Sequence, residues 1–209
     1  SVVAVKPIDG FGARWARICE RLSSRLRAPP MQSTRDDPVE FTYHVAVVGG
    51  GAGGTELVLA MQYRLHAMLA EYGWTAASET TGSATLAEPP KLGSRALRVA
   101  RLRFSLLARS GEILPTHNAK VRRKFTRIFA ERGVELMLNS AVVEVLPPQG
   151  ARGHDTVLDI EGNTGGTLKT VNGASVPFDE CVWCTGGAAQ TWLRNTGLPL
   201  DESGFIQCE

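Results

Sequence analysis

The sequence predicts an α/β fold in which a parallel sheet with flanking helices is joined to a three-stranded antiparallel meander. A Val-rich strand, Tyr43 to Val48, ends in glycines and is followed by an apolar-striped helix from about Gly53 to Tyr72. A strand–helix–strand pattern then runs from Leu102 to Leu138. From Ala141 to Phe178, short alternating runs separated by turn residues indicate the meander.

The composition is that of a globular protein with a hydrophobic core. Hydrophobic residues make up 43% of the chain and charged residues 21%. The 23 basic and 21 acidic residues leave a formal net charge of +2, which offers no whole-molecule attraction to nucleic acid or to an anionic membrane. No uninterrupted apolar stretch approaches the ~18 residues of a membrane-spanning helix. We therefore expect no nucleic-acid partner and no transmembrane segment.

The four cysteines do not form the pattern of a disulfide framework or a zinc site. We expect no metal site, and a reducing intracellular compartment, with the cytoplasm favoured and the mitochondrion left open. Cys181 and Cys184 stand three residues apart on a predicted strand, so their side chains point to opposite faces, roughly 10 Å apart. A disulfide needs Cα atoms within about 7 Å. Structural thiols are therefore favoured over dithiol chemistry.

The N-terminal region is interpreted as a helix and a linker. Apolar residues recur at three- and four-residue spacing over residues 10–27, and arginines occupy much of the opposite face. We interpret that face as a solvated helix surface. Pro29-Pro30 ends the helix, and a polar linker follows from Gln32 to Glu40. Residues 73–97 hold no period and are interpreted as an inserted, mobile surface loop.

The glycines after the first strand have the spacing of a dinucleotide-binding turn. In Gly49-x-Gly51-x-x-Gly54 the first glycine permits a tight turn, the second lets the backbone approach a pyrophosphate, and the third lets the helix pack closely on the strand. The turn follows a buried strand and opens a helix, which is the context the motif requires. We expect a Rossmann-like fold whose backbone N–H groups hold the pyrophosphate, with the helix dipole assisting. The expected binding residues are Gly49, Gly50, Gly51, Ala52, Gly53 and Gly54. A glycine-rich loop without a ligand is the less favoured alternative.

The end of the second strand bears on which nucleotide binds. An acidic residue there would accept hydrogen bonds from the ribose 2′-OH of NAD, whereas a nearby arginine suits the 2′-phosphate of NADP. The sequence has Ala108-Arg109-Ser110, with no carboxylate at the strand end. Arg109 and Ser110 therefore favour NADPH slightly over NADH. A solvated strand-end charge is an equal alternative for Arg109.

Two features at the third predicted helix have both a structural and a functional interpretation. His117 precedes a helix predicted from Asn118 to Arg132, where a role in the turn leading into the helix is favoured over proton donation or phosphate contact. A basic cluster on this helix is interpreted as a solvated face, with a docking surface for a partner domain as the minority alternative. Its members are Arg122, Arg123, Lys124 and Arg127.

Five segments carry a family resemblance: Val47 to Leu57, Ile113 to Pro115, Gly133 to Leu136, Phe178 to Gly186, and Asp201 to Ile206. They resemble the NAD(P)H-binding domain of pyridine nucleotide-disulfide oxidoreductase-type flavoproteins, including type II NADH dehydrogenases. The resemblance implies that Glu56 lies near the nicotinamide ribose. It also implies that Thr185 and Gly186 form the turn through which the chain returns toward an FAD domain.

The resemblance implies a division of the chain. Residues 1–40 flank an FAD domain, residues 41–187 form the NAD(P)H-binding domain, and residues 188–209 begin the returning FAD-domain segment. The cofactors implied are NAD(P)H in this domain and FAD in the full-length parent, with hydride passing from the nicotinamide to the flavin. We assign no catalytic residue to the chain and expect it to be inactive without the FAD domain.

A narrower resemblance points to one group of flavoproteins. Val5 to Phe11 and His117 to Arg123 are similar to the flavoprotein module fused to selenide, water dikinase. This implies a fused kinase domain as a partner and a link to selenium metabolism. Two alternatives stay open: a non-catalytic nucleotide-sensing or docking module, and the reductase half of a monooxygenase-like flavoprotein.

Overall fold

The computed structural model describes residues 2–5, 10–27, 39–76, 98–147, 165–185, 191–202 and 204–207. The fold is α/β, with a parallel sheet and a separate three-stranded antiparallel sheet, as the sequence predicts. The elements in chain order are β1 (Val2–Ala4), α1 (Phe11–Arg27), β2 (Val39–Val48), α2 (Ala52–Glu71), β3 (Thr75–Ala76), β4 (Arg98–Leu107), α3 (Ala119–Glu131), β5 (Val134–Met137), β6 (Val142–Leu146), β7 (Gly166–Thr170), β8 (Ser175–Phe178) and β9 (Glu180–Trp183), followed by a 3-10 helix, Thr191–Asn195.

The parallel sheet is organised around β2. Its strand order is β1-β9-β2-β4-β3, and β5 pairs with the C-terminal part of β4. Strands β2 and β4 pair along their whole length, from Val39 opposite Arg98 to Val48 opposite Leu107. On its other side, β2 pairs with β9, so that the two flanking strands lie on either side of the strand that precedes the glycines.

The two faces of this sheet are covered by different layers. Successive side chains of a strand point to opposite faces, and Val45 and Val47 of β2 join the buried sides of all three helices in one hydrophobic cluster. Ala46 and Val48 join a second cluster with Leu168, Val176 and Phe178 of the antiparallel sheet. The molecule therefore has three layers: helices, parallel sheet and meander. The sequence did not predict that all three helices would share one face.

Strand boundaries differ from the prediction at their N-terminal ends. Strand β2 begins at Val39 and β4 at Arg98, each about four residues before the predicted start. These added residues include partly exposed polar side chains, so the hydrophobic pattern did not mark them, but backbone pairing between the strands extends through them. Within the predicted loop 73–97, Thr75 and Ala76 form β3; residues 77–97 lie outside the described part of the chain.

The prediction that the arginines of α1 form a solvated face was wrong for Arg21, whose side chain is largely buried, whereas Arg25 is exposed and forms an ion pair. Arg21 donates from Nε and Nη2 to the two carboxylate oxygens of Glu180, at 2.5 and 2.7 Å, and Arg25 donates to Asp179 at 2.8 Å. Glu180 is completely buried and also accepts a hydrogen bond from the Tyr43 hydroxyl at 2.9 Å. The acidic partners are 154 to 159 residues away in sequence, so no local pattern revealed them.

This buried polar cluster also sets the protonation of its members. Burial, together with the neighbouring Glu180 carboxylate, raises the pKa of Tyr43 above its usual value, so the phenol remains a hydrogen-bond donor at neutral pH. Burial lowers the pKa of Arg21, but pairing with Glu180 outweighs this effect and raises it. Helix α1 is therefore held on β9 by the contact between Arg21 and Glu180, and the guanidinium of Arg21 remains charged.

We predict that Glu180→Ala destabilises the fold by about 3 kcal/mol, because it leaves Arg21 and the Tyr43 hydroxyl without their buried acceptor. Glu71→Ala is the control, since Glu71 pairs with Arg64 on the surface, where both side chains are about half exposed. Urea unfolding followed by circular dichroism measures the difference. Equal midpoints for the two variants would contradict the role of the buried cluster.

A second buried polar group lies on the meander side of the sheet. The Nε2 atom of His44 is 2.7 Å from the Ser105 hydroxyl oxygen, and Ser105 donates to Glu135 at 3.0 Å. Burial, and then the charge of Arg103, lower the pKa of His44. His44 is therefore neutral at a pH where the same residue in the unfolded chain already takes up a proton.

The sign of the resulting pH dependence follows from linkage. Because the folded pKa of His44 is below the unfolded value of about 6.5, the unfolded chain binds more protons in the interval between them, and stability is lost as pH falls below about 6.5. We predict that His44→Gln reduces this loss, measured as the change in unfolding free energy between pH 7.5 and 5.5. Burial also lowers the pKa of His66, so part of the loss remains. An undiminished loss in the variant would refute the assignment.

Candidate functional site

The glycine turn joins β2 directly to α2. Gly49 has φ +127°, a conformation that side-chain-bearing residues avoid, and a Cβ there would lie 2.8 Å from the carbonyl oxygen of Cys184. A Cβ on Gly54 would overlap the carbonyl oxygen of Gly49. The first and third glycines therefore have the packing roles that the motif predicts: one makes the turn and the other lets the helix start against the strand end.

The middle of the turn is open. A Cβ on Gly51 or Gly53 would meet no atom within 4 Å, and both residues are exposed, as is Ala52. Side chains of the described residues therefore do not block the outer side of the turn. A ligand can approach the backbone here as closely as its own atoms allow.

The start of α2 lacks a side-chain cap. Its N-cap residue is Gly51, with no side-chain hydrogen bond, whereas Asn118 at the start of α3 accepts a hydrogen bond from Val121 N at 3.0 Å. The first N–H groups of a helix have no partner within the helix, and they lie at the positive end of the helix dipole. This end of α2 therefore offers uncapped donors to an anion.

The turn also lies where the connections of the sheet reverse direction. From β2 the chain crosses to β4 on one side, and after the meander it returns to β9 on the other side. In open α/β sheets, a crevice forms beyond the carboxyl ends of the strands at such a reversal, and ligands bind there. The glycine turn follows the carboxyl end of β2, at the position of this reversal.

The loop after β4 packs against the turn through Gly50. A Cβ on Gly50 would lie 2.6 Å from Ala108 Cβ, and the Gly50 carbonyl accepts a hydrogen bond from Leu114 N at 2.7 Å. Leu114 has φ +52°, unusual for a residue with a side chain, and is buried. Sequence reasoning missed this structural role of Gly50. The signals for it were the small residue at position 108 and the run of three consecutive glycines, of which Gly50 is the second.

The predicted ribose-binding residues lie on this same loop. Arg109 is exposed, and Ser110 is partly exposed and donates from its hydroxyl to the Glu112 carbonyl oxygen at 2.7 Å. The Glu112 carboxylate lies 3.1 Å from Nε of Arg122 on α3. The loop that follows β4 is therefore joined to α3 by an ion pair, which sequence reasoning did not predict.

The remaining predicted residues lie near the turn to different degrees. Thr185 follows β9 and is exposed; its backbone nitrogen would be 3.2 Å from a Cβ on Gly49. Gly186 lies outside the described residues. Glu56 is exposed on α2, just beyond Gly54. Next to it, the hydroxyl of Thr55 is buried and finds no hydrogen-bond partner among the described residues, a feature that the sequence did not indicate.

A family model for pyridine nucleotide-disulphide oxidoreductases matches residues 6–209. The chain belongs to this family. No curated protein matches the chain in a sequence search.

Three solved structures are similar to this family member to different degrees. A water-forming NADH oxidase from Lactobacillus brevis, solved bound to NADH, is similar at 16% identity and a TM-score of 0.50, over 97% of this chain and 29% of that one. LpdA from Mycobacterium tuberculosis is similar at 19% identity and a TM-score of 0.43, over 77% of this chain and 25% of that one. The HOCl-induced flavoprotein disulfide reductase RclA from Escherichia coli is similar at 14% identity and a TM-score of 0.45, over 87% and 33%. The chain thus spans a third or less of the length of these proteins.

In this pyridine nucleotide-disulphide oxidoreductase domain, Cys181 and Cys184 lie on different faces of the parallel sheet. Cys181 is buried in the cluster beneath the meander, whereas Cys184 packs against the cluster beneath the helices, in agreement with the strand geometry. Burial raises the pKa of Cys181 to about 12, so this thiol is protonated at neutral pH.

The described residues contain no group of His, Cys, Asp and Glu side chains that would hold a metal ion. The helices among these residues lack the length and apolar character to cross a membrane.

His117 occupies the turn that leads into α3. Its backbone N–H donates to Leu114 at 2.9 Å, and its carbonyl accepts a hydrogen bond from Arg122 at 2.5 Å. Its ring is exposed, with Nδ1 3.3 Å from the Thr116 hydroxyl. These contacts give the backbone of His117 a structural role and leave the imidazole at the surface.

We predict that Gly54→Ala destabilises the domain by about 2 to 3 kcal/mol or more, because the added methyl group overlaps the backbone of Gly49. Gly53→Ala, in the same helical turn, adds the same methyl group to open space and should change stability by less than about 1 kcal/mol. Chemical unfolding of both variants measures the contrast. Similar losses in both would show that the close helix–strand contact is not what requires the third glycine.

Proposed function

We propose that the glycine turn binds the pyrophosphate of NAD(P)H and that this domain presents the nicotinamide to an FAD held by another domain of the same parent protein. The observation that supports this most directly is the combination at Gly51: an uncapped helix N-terminus, an exposed backbone, and open space where a side chain would otherwise stand. Backbone N–H groups arranged in this way suit a pair of linked phosphates.

The two cofactors would be bound by different domains, NAD(P)H by this domain and FAD by another domain of the parent protein. Members of the family bind FAD and NAD(H). NAD(P)H supplies hydride to the flavin, and the protein contributes binding, orientation and exclusion of side reactions. In this chain, residues 49–54 would hold the pyrophosphate, while Glu56, Thr185 and Gly186 would lie toward the nicotinamide half. The division into residues 1–40, 41–187 and 188–209 remains a prediction, as does the inactivity of this chain without an FAD domain.

The end of β4 favours NADPH over NADH. Ala108 occupies the place where a carboxylate would accept hydrogen bonds from the ribose of NADH, and it is buried. Arg109 follows it with an exposed side chain, and Ser110 lies beside it. A cation and a hydroxyl at this position suit a 2′-phosphate.

The proposed link to selenium metabolism rests on sequence resemblance only. Of the two segments that resemble the module fused to selenide, water dikinase, the first lies largely outside the described residues, and the second forms the start of α3. The family match and the structures named above do not support a fused kinase domain. The intracellular and cytoplasmic location likewise remains a prediction.

We predict that Gly51→Ala weakens binding of both NADH and NADPH by at least about tenfold, because the methyl group fills the space that the pyrophosphate needs. Its cost to stability should be at most about 1 kcal/mol, the difference between glycine and alanine at an N-cap. Isothermal titration calorimetry of the purified protein with each nucleotide gives the dissociation constants. Gly12→Ala on α1, also in open space, is the matched control and should leave both constants unchanged.

The alternative is a nucleotide-sensing or docking module without catalysis. Nucleotide binding alone is common to both functions, whereas only the proposed oxidoreductase reduces its flavin. Stopped-flow absorbance at the flavin band of the full-length protein, after mixing with NADH or NADPH, separates them. Hydride transfer is supported if the flavin absorbance falls after mixing and if this fall is slower in the Gly51→Ala variant. Tight nucleotide binding with an unchanged flavin spectrum would favour the sensing module, and the absence of heat with either nucleotide would exclude both.

A further inference from the structure

We propose that the exposed side of α3, together with a cavity at its C-terminal end, binds an acidic peptide segment of a partner protein. The segment carries a run of carboxylates followed by one apolar side chain. We call this region the α3 surface; its cations are Lys120, Arg123, Lys124 and Arg127, and its cavity opens beside Ala130.

Helix α3 concentrates positive charge. It contains five basic residues and one acidic residue, a net charge of +4, whereas the whole chain carries only +2. Four of the basic residues are exposed and have the i, i+3, i+4, i+7 spacing that places side chains on one side of a helix, along about 10 Å of its axis. The small net charge of the chain, from which we expected no attraction to polyanions, therefore conceals a strongly basic surface.

Three of these four cations lack an acidic partner. No described residue forms an ion pair with Lys120, Arg123 or Lys124. Arg127 pairs with Glu131 at 3.4 Å, but both side chains are mostly exposed, so this contact contributes little to stability. An acidic partner therefore forms new ion pairs at three positions without first breaking existing ones, and the charge also accelerates its association.

A cavity lies at the C-terminal end of the same helix. Its volume is about 270 Å³, and it is lined by Arg103, Phe104, Ala130, Gly133, Val134 and Glu135. Phe104 and Val134 are buried, whereas the other four residues are exposed. The volume is below the roughly 300 to 1,000 Å³ of pockets that hold whole small molecules. It suits a single apolar side chain, the kind of anchor that contributes most of the binding energy in many protein interfaces.

The cavity adjoins a gap in the strand pairing of β4. On the side away from β2, β3 pairs with Val99 and Ala100, and β5 pairs from Phe104 onward. Among the described residues, no strand pairs with residues 101–103 on this side. Gly133, where the chain turns from α3 into β5 with φ +65°, lines the cavity. The cavity is therefore bordered by a fixed sheet edge and by the end of α3.

The cations and the cavity lie on the same side of α3. Ala130, which lines the cavity, follows Arg123 by seven residues and Arg127 by three, so it continues the row of cations toward the end of the helix. Glu135 also lines the cavity, but Arg103 lies 3.9 Å away and offsets its charge. A segment that lies along α3 can therefore pair its carboxylates with the cations and insert the following apolar side chain into the cavity.

This combination favours a peptide over two other polyanions. A nucleic acid or an anionic lipid surface would attract the cations of α3, but it would not supply one apolar side chain at the end of a row of anions. None of the large apolar side chains that are exposed among the described residues belongs to α3, so this side of the helix lacks the apolar face with which helices enter a membrane surface.

The test measures binding of a short fluorescent peptide in which a run of glutamates is followed by leucine. Fluorescence anisotropy with the purified protein gives the dissociation constant at low and at high salt. A peptide with serine in place of leucine isolates the contribution of the cavity, and a peptide with glutamines in place of the glutamates isolates that of the charges. Phosphatidylserine vesicles, tested by cosedimentation, and duplex DNA, tested by anisotropy, are the competing polyanions.

Two variants with matched controls locate the binding surface. One replaces the three unpaired cations of α3: Lys120→Gln, Arg123→Gln and Lys124→Gln. Its control makes the same change at three exposed basic residues outside α3: Arg17→Gln, Arg64→Gln and Arg194→Gln.

The second variant tests the cavity. Ala130→Gln places a larger polar side chain at the cavity, and its control, Ala60→Gln, adds the same side chain at an exposed position of α2. Circular dichroism melts establish that each variant is folded. If the triple variant of α3 does not fold, the substituted peptides and Ala130→Gln still decide the outcome.

We expect the triple variant of α3 to weaken binding of the glutamate–leucine peptide by at least about fivefold, and high salt to weaken it further. Serine in place of leucine should cost about tenfold, because the cavity no longer holds an apolar side chain. Ala130→Gln should weaken the leucine peptide but not the serine peptide. Both controls should change the dissociation constant by less than about twofold.

The proposal is overturned if the wild-type protein does not bind the glutamate–leucine peptide, if the triple variant and its control act alike, or if the serine peptide binds as tightly as the leucine peptide. Binding of vesicles or DNA that depends on the three cations, without binding of the peptide, would assign the α3 surface to a membrane or a nucleic acid instead. Nucleotide binding at the glycine turn is measured separately, so none of these results bears on the proposed function.

Discussion

The close contact between the start of α2 and the end of β2 is the constraint on which the rest of the site depends. Only glycine at positions 49 and 54 allows the helix to begin so near the strand. A Cβ atom at position 49 would clash with the Cys184 carbonyl, and one at position 54 would clash with the Gly49 carbonyl. The contact between Gly49 and Gly54 also fixes the first turn of α2 beyond the carboxyl end of β2. The N–H groups of the first helical turn are thereby placed beside exposed residues beyond the end of β2.

The three-layer arrangement keeps that opening in position. Helices cover one face of the parallel sheet and the meander covers the other, so β2 is buried on both sides and its end is fixed relative to β4 and β9. Helix α1 is joined to this body by more than hydrophobic contact, since Arg21 and Tyr43 meet a completely buried carboxylate at the start of β9. A buried charge of this kind is costly to leave unpaired, which makes the position of α1 specific.

The end of β4 and the loop that follows it form the second part of the proposed site. The residues that follow β4 adjoin the glycine turn. Here a buried alanine stands at the strand end, and the loop beyond it is pinned to the turn through Gly50 and Leu114. That pinning brings Glu112 and Arg122, ten residues apart in sequence, to the same place.

Local patterns in the sequence were sufficient for the α/β fold, the order of its main elements, the meander and the glycine turn, because each depends on periodicity or spacing within a short segment. Gly49 and Gly54 were predictable for this reason: the steric demands of a strand–turn–helix unit act between neighbours in the chain. Tertiary structure alone decided which face the helices cover, that Arg21 would pair with Glu180, and that Arg122 would pair with Glu112. These contacts join residues 10 to 159 positions apart, and a side chain's partner across such a distance is set by how the layers pack.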